Sequence, residues 1–168
     1  IDPTSHRLCV TIGIIPNRCL IMQYRLTEET ISLNANANSK EEATRMAGHL
    51  LVRGGYVAES YIDGMLAREK SMSTYIGNGV AIPHGQFDDL TLVYRTGISV
   101  LQIRDGVTWE DDEKAYLIIG IASNSDDHIN ILANLAEAIE DPETAKLLAE
   151  TSEVSVVLDH LNAPNTNA

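Results

Sequence analysis

The sequence predicts an α/β fold in a single domain, and three observations carry the prediction. Helix-period and strand-like segments mix along the whole chain, the pattern of a layered α/β architecture. One run, KAYLIIGIA from Lys114 to Ala122, is apolar and rich in isoleucine, as a fully buried central strand would be. At 168 residues with 44% hydrophobic content, the chain has the length and composition of one globular domain with a proper core.

The elements follow in order. Leu26 to Asn38 opens with an alternating piece, Ile31 and Leu33 on one side, which suits an edge strand. Ser39 precedes Glu42 by three residues, the spacing of a capping box. The helix this predicts, Lys40 to Arg53, stacks Ala43, Met46, Ala47, Leu50 and Leu51 on one stripe and stops at Gly54-Gly55. A second helix, roughly Glu59 to Arg68, has Tyr61, Ile62, Met65 and Leu66 as its apolar side. Thr91 to Leu101 reads as a strand, Asp105-Gly106 as a turn, and Lys114–Ala122 as the central strand, ending at Ser123-Asn124-Ser125. A helix from about Asp127 turns Ile129, Leu132, Leu135 and Ile139 inward; Pro142 starts a short helix, and Val154 to Leu161 forms the last. There are no internal repeats.

Charge and cysteine usage bound the function. A formal net charge of -12 argues against a nucleic-acid partner, whose backbone is bound through Lys and Arg. It fits a soluble acidic surface, and it would also steer docking onto a basic protein. No apolar run is long enough to span a bilayer. Residues 1–26 carry three arginines against one aspartate, leaving -14 on the remaining 142 residues. Both cysteines, Cys9 and Cys19, sit in this leader without metal or disulfide spacing, which reads as a reducing cytoplasm. Asp2, Arg18 and Pro16 fit poorly with a signal peptide, so residues 1–25 read as an upstream or vector-derived leader, with Met22 as a possible start. Residues 162–168, NAPNTNA, read as a disordered tail.

The chain is organised around Tyr75 to Gly85, YIGNGVAIPHG. Gly77 and Gly79 flank Asn78, and either glycine tolerates the positive φ of a tight turn. Val80-Ala81-Ile82 reads as a short buried strand. Pro83 lacks an N–H for a central ladder, so the strand stops there or runs along an edge. His84 is thus delivered at a strand end by a stiff residue, with Gly85 leaving room beside it. That placement suits chemistry; a turn with an incidental histidine is the alternative. His128 stands beyond the C-terminal end of the predicted central strand, at the start of a helix. Open α/β sheets collect ligand groups there, and a helix start offers N–H groups to an anion. Beside Asp126 and Asp127 it would equally serve as an exposed helix cap. If the two histidines face each other, one imidazole can act as nucleophile and the other donate to phosphoryl oxygens.

From about Leu26 to Leu161 the chain resembles the EIIA component of the bacterial sugar phosphotransferase system, in the mannitol/fructose family and nearest the mannitol type. The residues that carry the likeness are MLAREK (Met65–Lys70), TYIGNGVAIPHG (Thr74–Gly85), RTGISV (Arg95–Val100) and LIIGIASNSDDHINIL (Leu117–Leu132). The resemblance implies a mixed β-sheet flanked by helices on both faces. It also implies a phosphoryl relay. The carrier HPr, charged by enzyme I, would donate to a histidine of this chain, which would pass the group to a cysteine of EIIB and thence to sugar entering through membrane EIIC.

In that relay the motif's histidine falls on His84 as the phosphoryl acceptor. The family's second histidine falls on His128 and its arginine on Arg68, both expected to stabilise phosphoryl oxygens. Asn78 is expected to support the site from behind. A guanidinium fork suits phosphate oxygens, and neutral histidine supplies the lone pair. The donor is a protein, so no metal or cofactor is expected. Two rivals stand beside this reading. A nitrogen-regulatory EIIA relative would act through protein partners, and a binding module or metal site would use His84 and His128. Two histidines without a third spaced ligand make a poor zinc site.

Overall fold

The computed structural model describes residues 26–124 and 127–162, the side chains of Asp127 and His128 excepted. The expected leader, 1–25, and the expected tail beyond Asn162 lie outside the described residues; Asn162 itself donates from Nδ2 to the Leu26 carbonyl at 3.1 Å.

Chain order sets the layers. A single 3-10 turn leads into β1 (Ile31–Ser32), followed by α1 (Lys40–Arg53), α2 (Tyr61–Ser71), β2 (Tyr75–Gly77) and β3 (Val80–Ala81). A second 3-10 segment, Phe87–Leu92, precedes the long hairpin of β4 (Gly97–Glu110) and β5 (Glu113–Ala122). Three helices follow: α3 (Asp127–Glu140), α4 (Pro142–Glu150) and α5 (Val154–Leu161). The sheet order is β1-β4-β5-β3-β2. β1 runs parallel to β4 and β3 parallel to β5, while β4–β5 and β2–β3 are antiparallel, so the sheet is mixed.

Alternation along the strands sends side chains to two cores. Ile98, Val100, Leu117, Ile119 and Ile121 pack beneath α3, α4 and α5 with Ile131, Leu135, Leu148 and Val157. Leu101, Ile103, Ala115 and Ile118 face the other way, against Ala43, Ala47 and Leu50 of α1. Tyr56, Tyr61 and Met65 extend that second layer past Ala122. Helices therefore cover both faces, and residues 117–122 of β5 are buried throughout.

Local sequence accounts for most of the ends. Ser39 Oγ accepts the Glu42 N–H at 3.1 Å, as the spacing requires. The Glu42 carboxylate completes only half of a capping box, because it takes the backbone and side-chain N–H groups of Asn38. Asp141 caps α4 by accepting from Thr144, with Pro142 at the first helical position.

Three expectations need correction. Residues 91–96 are not strand; they belong to the 3-10 segment and its exit, and β4 begins at Gly97. Asp105-Gly106 is not the hairpin turn. Gly106, at φ 68°, lies within β4 where the register against β5 shifts, and the chain reverses between Glu110 and Glu113 with Asp111 at φ 49°. A positive φ inside a long strand is the mark of a bulge, and the Asp-Gly pair served it rather than a turn. Ile129 is 74% exposed rather than inward; Ile131, Leu135 and Ile139 of α3 are buried in the core, and Leu132 packs against it as expected.

One buried polar group ties the layers together. Gln102, on β4, donates to the Leu148 and Thr151 carbonyls at 2.9 Å each, and its Oε1 accepts the Asn34 N–H at 3.0 Å. Removing the amide takes that partner from the Asn34 N–H and the Leu148 carbonyl, and leaves the Thr151 carbonyl with a long bond from Arg104 Nη2 at 3.5 Å. Gln102→Ala is expected to lower stability by about 2–3 kcal/mol in urea denaturation. A loss below about 0.5 kcal/mol would show that water replaces the amide.

Candidate functional site

β3 ends at Ala81, and the chain then runs along the end of β5 without forming a further ladder. Pro83 has no N–H to give, but its carbonyl accepts the Ile121 N–H at 3.0 Å, and His84 bridges Ile121 in parallel register. The Gly85 N–H donates to the Tyr61 hydroxyl at 2.8 Å, and that hydroxyl donates to the Ile121 carbonyl at 2.8 Å. Both peptide groups that flank His84 are thus tied to one residue of β5, one directly and one through Tyr61.

The imidazole is held as firmly as its backbone. His84 is only 8% exposed, and its Nδ1 lies 2.8 Å from the Ile82 carbonyl oxygen. A carbonyl can only accept, so Nδ1 carries the proton and the neutral ring keeps its lone pair on Nε2. Burial pushes the histidine below its usual 6.5; the Ile82 carbonyl works against this, and the Arg68 charge adds to the lowering. The ring is therefore neutral at pH 7, the form a nucleophile needs.

Arg68 sits in the last turns of α2, close enough for its charge to act on His84. Its Nη1 donates to the Met72 carbonyl at 2.8 Å, which folds the guanidinium over the helix end. Glu69, the next residue, points inward. Its carboxylate accepts from Thr74 N, Thr74 Oγ1 and, at 2.9 Å, Trp109 Nε1, with Lys40 Nζ at 3.7 Å. The buried carboxylate anchors the end of α2 and the start of β2, and Arg68 turns the other way.

The remaining expected residues divide. His128 is the second residue of α3, at the helix start that follows β5; its side chain lies outside the described residues. Asn78 is not behind His84. At φ 51° it forms the β2–β3 turn, at the other end of β3, and its Nδ2 donates to the Ile139 and Glu140 carbonyls. It closes the C-terminus of the helix that His128 opens, about 20 Å away along α3. A hollow of about 640 Å³ lies on that far side too, lined by Tyr75, Asn78, Arg104, Lys114, Tyr116 and Lys146, among others; neither His84 nor Arg68 lines it.

Tyr61, read from the sequence as part of an apolar stripe, turns out to serve the site. Half of the signal was local: a buried tyrosine hydroxyl must find partners, although its acceptor lies sixty residues away in the chain. Gly85 was the other half of it. A Cβ there would overlap the Tyr61 ring, so the glycine makes room for the tyrosine and not for the histidine.

Fold and site together define a small α/β protein that presents one immobilised, neutral histidine at a sheet end beside a cation. Residues 25–163 match the family described as phosphoenolpyruvate-dependent sugar phosphotransferase system, EIIA 2, and the chain belongs to that family. It is 45% identical over 130 residues to a multiphosphoryl transfer protein of Haemophilus influenzae, covering 77% of this chain and 26% of that protein. It is 41% identical over 140 residues to the mannitol-specific phosphotransferase enzyme IIA component of Geobacillus stearothermophilus, covering 83% and 97%. Among solved structures it resembles enzyme IIAMTL in its complex with phosphorylated enzyme IIBMTL from Escherichia coli. There the TM-score is 0.78 and the identity 39%, over 82% of this chain and 97% of that one. The chain spans about a quarter of the first of these curated relatives.

The electrostatics give a direct test. Since the folded pKa of His84 is lowered, the unfolded chain binds the proton first, and this histidine favours folding less as pH falls below 6.5. Arg68→Met removes a repelling cation, so the His84 titration followed by NMR should move up toward 6.5. A titration that stays in place would show that burial alone sets it.

Proposed function

We propose that this chain is a phosphocarrier: it takes a phosphoryl group from phospho-HPr on His84 and hands it to an EIIB cysteine during uptake of mannitol or a related sugar. The observation that carries the proposal is the neutral His84 ring with Nδ1 bound to the Ile82 carbonyl. Nε2 attacks phosphorus, the N–P bond of the donor breaks, and its electron pair returns to the donor imidazole. In the second step the EIIB thiolate attacks the same phosphorus and the pair returns to Nε2. The phosphohistidine keeps enough transfer potential for this.

Arg68 faces the phosphoryl oxygens throughout both steps, and its fork offers them donors beyond the two given to Met72. His128 would donate to the same oxygens from the start of α3, where the helix dipole disfavours a second proton on its ring. No metal step is required, because a protein donor brings the group already activated. Family membership and the enzyme IIA relatives support this assignment, and the name of the Geobacillus relative supports mannitol as the sugar.

The partners are expected to be proteins. Met72, Phe87 and Ile129 stand 66%, 85% and 74% exposed, and each is tied to the site by chain position or by the Arg68 bond. Large apolar side chains left in water beside a reactive group mark a docking face. A relay between soluble HPr and the inner face of a membrane transporter places the work in the cytoplasm. Among the described residues no helix is long and apolar enough to cross a membrane.

The decisive experiment is phosphotransfer from phosphoenolpyruvate through enzyme I and HPr, with mapping of the labelled residue. His84→Ala should take no label, and label retained on that variant would refute the acceptor assignment. His128→Ala should keep its fold and HPr binding while slowing transfer to EIIB by about ten- to a thousandfold, up to the full cost of one lost transition-state donor. Partial recovery in His128→Gln would follow from the amide N–H. Normal rates in both half-reactions would make His128 a helix cap only.

A further inference from the structure

We propose that Tyr61 is a positioning residue for transfer at His84: its hydroxyl locks the Pro83–Gly85 segment to the end of β5 and so fixes the direction of the imidazole. The inference rests on His84 being the acceptor and adds a residue to its machinery.

Geometry carries the argument. A backbone residue is oriented by the two peptide groups on either side of it. For His84 the first of these offers the Pro83 carbonyl, which accepts from Ile121 N at 3.0 Å. The second offers the Gly85 N–H, which donates to Tyr61 Oη at 2.8 Å. The hydroxyl passes the connection on to the Ile121 carbonyl, again at 2.8 Å. A closed ring of three hydrogen bonds therefore runs from Ile121 through Pro83, His84, Gly85 and Tyr61 back to Ile121. The last two of these bonds depend on a side chain, the Tyr61 hydroxyl.

The surroundings are shaped for that hydroxyl. Tyr61 is 3% exposed, and burial together with the nearby Asp89 pushes its phenol up to about 12, against the opposing Gly85 N–H. It stays a neutral donor at any working pH. Gly85 lacks the Cβ that would collide with the ring, and Gly64, one turn along α2, leaves space for the Asp89 carboxylate. Asp89 Oδ2 in turn accepts the Gln86 N–H at 2.7 Å, which pins the chain just beyond Gly85. Every residue from Pro83 to Gln86 is thus held from outside the segment.

A nucleophile that has to meet two different partners in turn cannot rely on either to orient it. The distance between Nε2 and phosphorus must be set by the protein beforehand, and a misplacement near 1 Å costs about a hundredfold in rate. Phenylalanine at position 61 keeps the ring and its packing but removes the hydroxyl from the cycle. The Pro83 anchor remains, so the segment stays attached at one end and gains freedom at the other.

The test uses Tyr61→Phe in the full chain, with its fold checked by circular dichroism and thermal melting. Single-turnover transfer from phospho-HPr is expected to slow by about ten- to a hundredfold with the HPr affinity unchanged. The imidazole nitrogen shifts of His84 should move toward a mixture of tautomers as the Nδ1 contact to Ile82 loosens. A wild-type transfer rate would overturn the proposal, and so would a slower rate with unmoved imidazole signals, which would make the hydroxyl a general structural bond. If the variant does not fold, the wild-type protein still decides. A Gly85 amide that exchanges with solvent at an unprotected rate refutes the clamp, and strong protection upholds it. Wild-type protein that takes no phosphoryl group on His84 would defeat the functional reading alone, because the nitrogen shifts report the clamp without any transfer.

Discussion

Ile121 is the residue on which the site depends. Its side chain is fully buried beneath the C-terminal helices, and its two backbone groups leave the sheet to hold the histidine segment. That arrangement is possible only because β5 outlasts β3. Pairing between the two covers Val80–Ala81 against Leu117–Ile118, after which β5 continues to Ala122 with its edge open on that side. An open edge in the middle of a sheet is a row of unsatisfied groups. Pro83 fills part of it with a carbonyl and asks for nothing back. The proline that ends the strand and the strand end that holds the histidine are one solution to one backbone constraint.

Burial then selects the chemistry. A ring this enclosed disfavours the imidazolium, and the guanidinium beside it acts in the same direction. Arg68 therefore has two effects of opposite apparent sign: it repels a proton from His84 and would attract a dianionic phosphoryl group bound there. Both need the charge to be fixed. The Met72 carbonyl fixes the guanidinium, and Glu69 fixes the helix end that carries it through Thr74 and Trp109. A buried carboxylate with three hydrogen-bonded partners and a lysine at 3.7 Å is well compensated, which is the condition for keeping a charge inside.

Much of this was legible in the sequence, for reasons that differ by element. The bounds of α1 and α5 follow from period and capping alone, because Ser39, Gly54-Gly55 and the apolar stripes agree with one another. The strand-end placement of His84 was legible because Pro83 stops the strand just before it. Asn78 was misread since a residue inside the same motif looks close to its histidine, whereas two residues of turn and a strand send it to the opposite end of β3. Gly106 was misread because Asp-Gly serves a bulge and a hairpin equally well, and only the pairing partner decides. The role of Tyr61 was hidden by its own ring. Local pattern registers an aromatic on an apolar face, and the use of the hydroxyl depends on a carbonyl sixty residues away.

Helix α2 explains how His84 and the Arg68 guanidinium keep their distance. Tyr61 and Arg68 stand seven residues apart, two turns, so both project from the same side of the helix with about 10 Å of axis between them. Gly64 lies between them on that side, where the Asp89 carboxylate enters. One rigid element thus holds the segment after His84 at its first turn and offers the guanidinium at its last. Anchoring the two groups to separate loops would let their separation drift with every local fluctuation. Placing them on one helix, with its inner face set by Ile62 and Met65 in the core, makes the separation a property of helical pitch. The spacing of the site is thus decided when the domain folds.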